Sequence, residues 1–462
     1  MNNTNIILTA DSYKYSQYCQ YPPQTEGIYS YIESRGGIYE ETIFFGLQIF
    51  LKEHLAKPIK MEQIDEAEEL IKLHGLPFYR GGWEYIVKKH GGYLPVRIKA
   101  VPEGSVIPTK NILVTIENTD PNCFWLTSFL ETALLRAVWY PTTVCTSSFY
   151  SKKLILKYLI RNGDPSLIDF KLHDFGCRGV SSQESGGIGG LAHLVNFKGT
   201  DTVTALLYSR KYYNEQMAGY SIPASEHSSI TAWGKENELD AYRNMLSQYG
   251  KPGALLACVS DSYDIYHACE SWGTELKEQV LDSGAILVVR PDSGVPTEVI
   301  PRCLQILDSH YGSVTNEKGY KVLNNIRMIQ GDGIDHEMID RILHVMETKG
   351  YSADNIAFGQ GGGLLQNVNR DTQKFAMKCS AANVNGQWRE VFKDPITDPG
   401  KTSKKGRLQL LHNDGVFQTV PERPWNHDYL ETVYENGQLL KEYSLEDVRV
   451  NANHFLYNYY GG

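Results

Sequence analysis

The sequence predicts an α/β fold: an irregular parallel (β/α) barrel domain joined to a mainly antiparallel β-containing domain built from both chain ends. Three observations carry this. Apolar and polar residues alternate near positions 96–116, the period-2 pattern of strands with one wet face. Between about 165 and 375, short apolar runs recur, each ending in Asp or Gly and followed by a helix-like stretch. The last 80 or so residues return to hairpins punctuated by Asn-Gly and Asp-Gly.

In the first region Val96, Ile98 and Ala100 alternate with Arg97 and Lys99, a turn-rich stretch follows, and Ile112, Val114 and Ile116 repeat the pattern. The most apolar helix candidate is Phe124 to Tyr140, interrupted by Glu131 and Arg136, so a membrane span is not expected. In the centre the runs end at Gly176, Asp261, Asp292, Asp332 and Gly361. Their spacing, roughly 30 to 40 residues in most cases, leaves room for a helix between parallel strands. A barrel built this way collects its polar strand ends on one rim, where active sites sit. Toward the C-terminus, Asn385-Gly386, Asp414-Gly415 and Asn436-Gly437 favour primed hairpin turns. The expected division is a composite domain of 1–150 and 376–462 around a barrel of 151–375.

At 462 residues the chain exceeds the size at which one core stops growing, so two domains are expected. Composition is 42% hydrophobic and 21% charged, ordinary for a soluble enzyme. A formal net charge of -9 argues against non-specific binding to nucleic acid or an anionic membrane, though it permits a local basic pocket. The eight cysteines form no Cys-x-x-Cys pair, which points to reduced thiols in a cytoplasmic protein. Met1 to Lys14 has no basic region followed by a long apolar stretch, so no signal peptide is expected.

Several segments have the chemistry of a phosphate and ribose site. In Gly359-Gln-Gly-Gly-Gly363, ahead of a helix expected at Leu364–Val368, bare backbone can approach a phosphate, with Arg370 further on as a clamp. The loop also reads as a plain tight turn, and it is neither a P-loop nor a G-x-G-x-x-G. Arg290 and Asp292 lie two apart on a strand end, facing one way, either to hold a polyol phosphate or as a structural ion pair. Asp332, between Gly331 and Gly333, is either a ribose contact or a turn aspartate. Asp261 and Asp264 could hold Mg2+ through water; capping is favoured for Asp261, while Asp264 is left open. Ser181-Ser-Gln-Glu184 matches a capping box, with a helix starting near Ser182 and Arg178 just before it. Phe175 reads as core first and as a stacking face second. Asp201 reads first as a helix cap, and His227, at another helix start, as a structural histidine before a catalytic one.

Taken together, Asp11-Ser-Tyr-Lys14, Lys171-Leu-His-Asp-Phe-Gly176, Arg178 to Glu184, Asn196 to Thr202, Glu226-His227, Val259 to Tyr266, Arg290 to Gly294, Gln330 to Gly333, Gly361 to Gln366 and Ser403 to Arg407 closely resemble the nicotinamide phosphoribosyltransferases. The resemblance runs in order from about residue 8 to about residue 450. It implies an enzyme that joins nicotinamide to 5-phosphoribosyl-1-pyrophosphate, giving nicotinamide mononucleotide and pyrophosphate. It also implies a homodimer with its active site at the subunit interface, Mg2+, and ATP as an optional co-substrate. In that reading Phe175 stacks on nicotinamide and Tyr13 of the partner covers the other face. Asp201 accepts from the carboxamide, and Arg290 faces the ring amide and ribose. Asp292, Gly331 and Asp332 contact ribose. Gly362 and Arg370 hold the 5′-phosphate, Arg178 and His227 the pyrophosphate, and Arg35 reaches a phosphate across the dimer. His227 also corresponds to the histidine phosphorylated by ATP, while Lys378, Lys393 and Lys401 lie at or near basic positions around the phosphates. Between Arg35 and Tyr39 the chain is short where vertebrate members carry a charged insertion, which affects a surface loop only.

The competing readings are a nicotinate or quinolinate phosphoribosyltransferase, and a non-catalytic signalling protein that keeps the pocket. Asp201 disfavours both carboxylate-bearing bases. The full set of charged and aromatic positions disfavours decay.

Overall fold

Thr25–Ser34, near the N-terminus, pairs antiparallel with Phe375–Val384, near the C-terminus, so both chain ends share one sheet. The computed structural model describes residues 5–398 and 401–460, with the side chains of 457–460 outside that description. The chain divides into two units: Met1–Thr146 with Lys211–Glu215 and Asn369–Gly462, and Ser147–Arg210 with Gln216–Val368.

The first unit is organised by a seven-stranded sheet in the order Gln387–Glu390, Phe375–Val384, Thr25–Ser34, Ile112–Asn118, Val96–Ala100, Glu431–Glu435, Gln438–Leu439. The alternation seen in the sequence is the observed burial: Val96, Ile98 and Ala100 face the core while Arg97 and Lys99 are half-buried. Asn385, Asp414 and Asn436, each followed by Gly, all have positive φ, as primed turns require. Each closes a hairpin. Lys211–Glu215 joins this unit because the Tyr213 hydroxyl donates to the buried Glu103 carboxylate at 2.5 Å. Glu103 also accepts from the Gln48 N–H at 2.8 Å. The apolar helix continues well past Tyr140: Glu131–Asn162 runs through Pro141. The ring is accommodated because Gly46 faces it; a Cβ there would fall 2.5 Å from Pro141 Cγ.

The second unit is a barrel. Its six-stranded parallel sheet has the order Gly199–Thr200, Leu172–Asp174, Ile356–Gln360, Ile326–Gln330, Ile286–Arg290, Leu255–Val259. The two edges are tied by the segment 220–225. Tyr220 exchanges backbone bonds with the first edge, through Thr200 N (3.0 Å) and Lys198 O (2.7 Å). Pro223 and Ser225 bond to Ala257 on the other edge at 2.9 and 3.0 Å. The ring therefore closes in chain order with one irregular member. Helices such as Gln183–His193, Pro296–Tyr311 and His336–Thr348 fill the crossovers. Outside the ring, strands and helices share a core that includes Leu172, Leu256, Leu287, Met328 and Phe358. Inside it, the small apolar group Ala257, Val288 and Ile329 packs with Ile222, Ala357 and Phe175.

No helix among the described residues is long and apolar enough to cross a membrane. All eight cysteines are free.

Candidate active site

The C-terminal ends of the barrel strands bring Phe175, Asp201, Arg290, Asp292, Gly331 and Gly362 to one rim. Phe175 follows the first strand, and its N–H donates to Gln360 O at 2.9 Å. Its ring is half-buried and lies over glycine backbone. A Cβ on Gly359 would fall 2.0 Å from Phe175 Cε2, and one on Gly331 would fall 3.3 Å from it and 3.5 Å from Asp292 Oδ1. The ring is thus neither sunk in the core nor free: it is partly buried against Gly359 and the Ala257, Val288 and Ile329 group.

Asp201 sits beside it, because the Asp201 N–H donates to Asp174 O at 2.9 Å. Its side chain caps no helix. Oδ1 instead accepts from the Ser221 hydroxyl at 2.7 Å, across the barrel-closing segment. Below, burial pushes the Asp174 carboxyl up to about 6, opposed by Thr202 and by the Gly176 N–H, which donates to Oδ1 at 2.7 Å. Burial pulls the neighbouring His173 imidazole below its usual range, with Asp201 opposing.

Arg290 and Asp292 pair directly, Nη2 to Oδ2 at 2.8 Å and Nε to Oδ1 at 3.3 Å. Both are partly exposed, at 23% and 21% of the side chain, so the pair can still meet a ligand. The Asp332 carbonyl accepts from Gln330 Nε2 at 2.9 Å, and its side chain is exposed.

The helix cap expected of Asp261 falls instead to Asp264, whose role was left open. Asp264 is the N-cap of Ile265–Gly273, accepting from Tyr266 N at 2.9 Å and His267 N at 3.2 Å. Asp261, 4% exposed, accepts from His227 Nε2 at 2.9 Å and from the Ser293 hydroxyl. Spacing from the strand end could not separate the two; the register of the following helix decides it. His227 opens the short helix His227–Thr231 behind the N-cap Glu226, and its ring is 46% exposed.

The capping box also shifts by one: Ser182 is the N-cap, and its partner is Ser185. Arg178 lies exposed in the turn Cys177–Gly179. A Cβ on Gly179 would be 3.3 Å from Gly362 Cα, so the Arg178 turn and the glycine loop are neighbours. The helix after that loop is a single turn, Gly362–Leu365, starting earlier than the expected Leu364. At Gly361 and Gly362 a Cβ would meet nothing within 4 Å, and neither has positive φ. At Gly362, the first residue of the helix, neither packing nor backbone conformation within the chain requires glycine.

In the first unit Tyr13 is exposed, with Lys14 Nζ 5.2 Å from its ring centroid. Lys14 in turn pairs with Glu131. Burial pulls the Lys378 ammonium below the usual lysine range; Glu131 opposes this, while Arg35, Lys393 and Arg370 add to it. These four cations therefore share one neighbourhood. Arg35 bonds Glu33 through Nε at 3.3 Å. Arg370 is exposed and meets Asp371 at 3.1 Å. Lys393 is exposed, and Lys401 pairs with Asp398 at 3.1 Å. Ser221 was missed by the sequence reading, since a serine in a loop carries no local signal of a partner 20 residues away.

Among the described residues the rim gathers no three ligands suited to a metal cage; the one such cluster, His90, Asp120 and Cys123, is in the first unit.

The chain resembles known proteins over nearly its whole length. The profile of the nicotinate phosphoribosyltransferase family matches residues 170–438, and that of the nicotinamide phosphoribosyltransferase N-terminal domain matches 5–98. A nicotinamide phosphoribosyltransferase of Xanthomonas campestris is 54% identical over 460 residues, covering 97% of this chain and 98% of that protein. One of Acinetobacter baylyi is 32% identical over 487 residues, covering 96% of each. Among solved structures, the fold matches a nicotinate-nucleotide pyrophosphorylase of Pyrococcus furiosus, with TM-score 0.62, 15% identity, and 97% and 95% of the two chains covered. Human nicotinic acid phosphoribosyltransferase aligns with TM-score 0.56 at 15% identity, covering 97% of this chain and 93% of that one.

Proposed function

The chain belongs to the nicotinate phosphoribosyltransferase family, and from that premise we propose how its residues divide the reaction. The reaction is transfer of the phosphoribosyl group of 5-phosphoribosyl-1-pyrophosphate to nicotinamide, a step of NAD salvage. The bond from the anomeric carbon to pyrophosphate breaks, a bond to the pyridine nitrogen forms, and the ribose passes through oxocarbenium character. The ring nitrogen supplies its own lone pair, so no protein nucleophile is needed for transfer.

One observation carries the assignment of the base site: a half-buried aromatic face, Phe175, with a carboxylate, Asp201, at its side and no cation paired to that carboxylate among the described residues. Phe175 stacks on nicotinamide, and Asp201 accepts from its amide N–H while repelling the carboxylate of nicotinate. Tyr13 of the partner subunit in a homodimer covers the other face, and Arg35 of the partner subunit meets a phosphate. Arg290 faces the amide and ribose. Asp292 and Asp332 accept from ribose hydroxyls, and Gly331 lets the sugar approach the backbone. Gly362 receives the 5′-phosphate at a position where the chain itself has no use for glycine. Arg370, Lys378, Lys393 and Lys401 supply the remaining positive charge around the phosphates.

Arg178 and His227 stabilise the departing pyrophosphate. His227 is also the site of ATP coupling. With Nε2–H donated to Asp261, the ring lone pair lies on Nδ1, which attacks the γ-phosphorus as ADP leaves. Mg2+ would be held at the rim by pyrophosphate oxygens together with carboxylates such as Asp332, where it would supply positive charge. It would there offset the charge of the leaving group.

A product assay tests this reading: purified protein, labelled nicotinamide, nicotinate or quinolinate, and 5-phosphoribosyl-1-pyrophosphate, with and without ATP. Mononucleotide from nicotinamide in clear preference to nicotinate is expected. No product from any base would favour a binding protein that keeps the pocket.

A further inference from the structure

We propose that Ser221 is a positioning residue that sets the choice of base, by pinning the Asp201 carboxylate in the orientation that accepts an amide and rejects a carboxylate. The inference rests on the reading of Asp201 as the group facing the substituent of the base. Its physical ground is a bond between two anchored points. Asp201 is fixed through its N–H on Asp174 O at 2.9 Å. Ser221 is fixed because the residue before it, Tyr220, bonds to Lys198 and Thr200, and Pro223 and Ser225 bond to Ala257 across the barrel. Most exposed side-chain hydrogen bonds join two mobile groups and contribute little net order. Here the backbone on each side is held by the barrel itself.

The bond engages one carboxylate oxygen, Oδ1, at 2.7 Å, the only side-chain hydrogen bond of Asp201 among the described residues. No lysine, arginine or histidine lies within ion-pair distance of Asp201 there. Without the serine the carboxylate would sample its other rotamers, and the acceptor would no longer be aimed. A mis-aimed acceptor lowers the affinity for an amide and also weakens the repulsion of a carboxylate. The two effects act in opposite directions on the two bases, so their ratio, rather than either rate, reports the role. His227 follows this segment directly in the chain, six residues after Ser221, so the contact that reads the base and the histidine on the phosphate side lie on one stretch.

The experiment compares wild type, Ser221→Ala, Ser221→Thr and Asp201→Asn by kcat/KM for nicotinamide and for nicotinate at saturating 5-phosphoribosyl-1-pyrophosphate, with melting temperatures as a check on folding. Ser221→Ala is expected to lower the nicotinamide-to-nicotinate ratio by about tenfold, mainly through KM for nicotinamide. Ser221→Thr, which keeps the hydroxyl, restores the ratio. If Ser221→Ala lowers both rates equally while Asp201→Asn changes the ratio, the role of Ser221 is overturned and that of Asp201 stands. If Asp201→Asn leaves the ratio unchanged, the underlying reading fails and the inference falls with it.

Discussion

The Phe175 ring occupies the space that a side chain at Gly359 would need: a Cβ there would lie 2.0 Å from Cε2 and 2.2 Å from Cδ2. The glycine is a packing requirement of the base site, since its own φ is not positive. Gly359→Ala should displace the ring, raise KM for nicotinamide by about tenfold, and cost on the order of 1–3 kcal/mol of stability through overpacking. Steady-state kinetics with a denaturation curve checks both. An unchanged KM would remove Phe175 from the base site.

Gly362 is the opposite case. A methyl group there meets no atom of the chain within 4 Å, so Gly362→Ala should leave the melting temperature unchanged. With the 5′-phosphate bound at that carbon, kcat/KM for 5-phosphoribosyl-1-pyrophosphate should fall on the order of 10- to 100-fold. Full activity in a stable variant would show that no ligand approaches that carbon.

Among the described residues no cation pairs with Asp201, so an incoming carboxylate meets a negative charge without a counter-ion. Asp201→Asn removes the repulsion and offers a donor, and should cut the preference for nicotinamide over nicotinate on the order of a hundredfold. Competing the two bases in one reaction gives the ratio directly.

His227 and Asp261 form a pair in which the aspartate is buried and the ring is exposed. His227→Ala should abolish stimulation by ATP and keep basal transfer. Asp261→Asn retains the shape but loses the charge that orients the ring, and should reduce phosphorylation by ATP about a hundredfold. Acid-labile label from γ-labelled ATP provides the readout; label retained in His227→Ala would place the phosphoryl group elsewhere.

His193 sits fully buried between the Ser148 hydroxyl at 2.9 Å and Leu172 O at 3.2 Å, and burial pushes its pKa down to about 3. The unfolded chain therefore binds a proton that the folded chain refuses, between the ordinary value of 6.5 and about 3. Stability falls as pH drops through that window, with a slope of up to about 1.4 kcal/mol per pH unit. Asp174 has the opposite sign: its folded pKa of about 6 lies above the ordinary 3.8, so protonation favours the folded state between those values. Urea midpoints at pH 7 and pH 5 should show the acid loss shrinking in His193→Gln and growing in Asp174→Asn.

The local features were legible from sequence because local physics fixes them. The strand Val96–Ala100 follows from a period of two, and the turns at Asn385, Asp414 and Asn436 follow from residues that tolerate positive φ. The barrel strands ending near Asp174, Val259, Arg290, Gln330 and Gln360 follow from apolar runs that stop at polar rims. Long-range placement was different. Whether Asp261 or Asp264 capped the helix depended on where the helix began, and the loser was drawn to His227, 34 residues away. Asp201 looked like a helix cap until a segment closing the barrel brought Ser221 to it. Phe175 had the composition of a core residue, and only the ring of strands around it decided that part of its face would stay open. The sequence by itself determined which segments are strands, turns and helices, because each is set by neighbours within a few residues. The tertiary structure alone decided which side chains are paired and which are left to a ligand, because those partners come from the far side of a closed barrel.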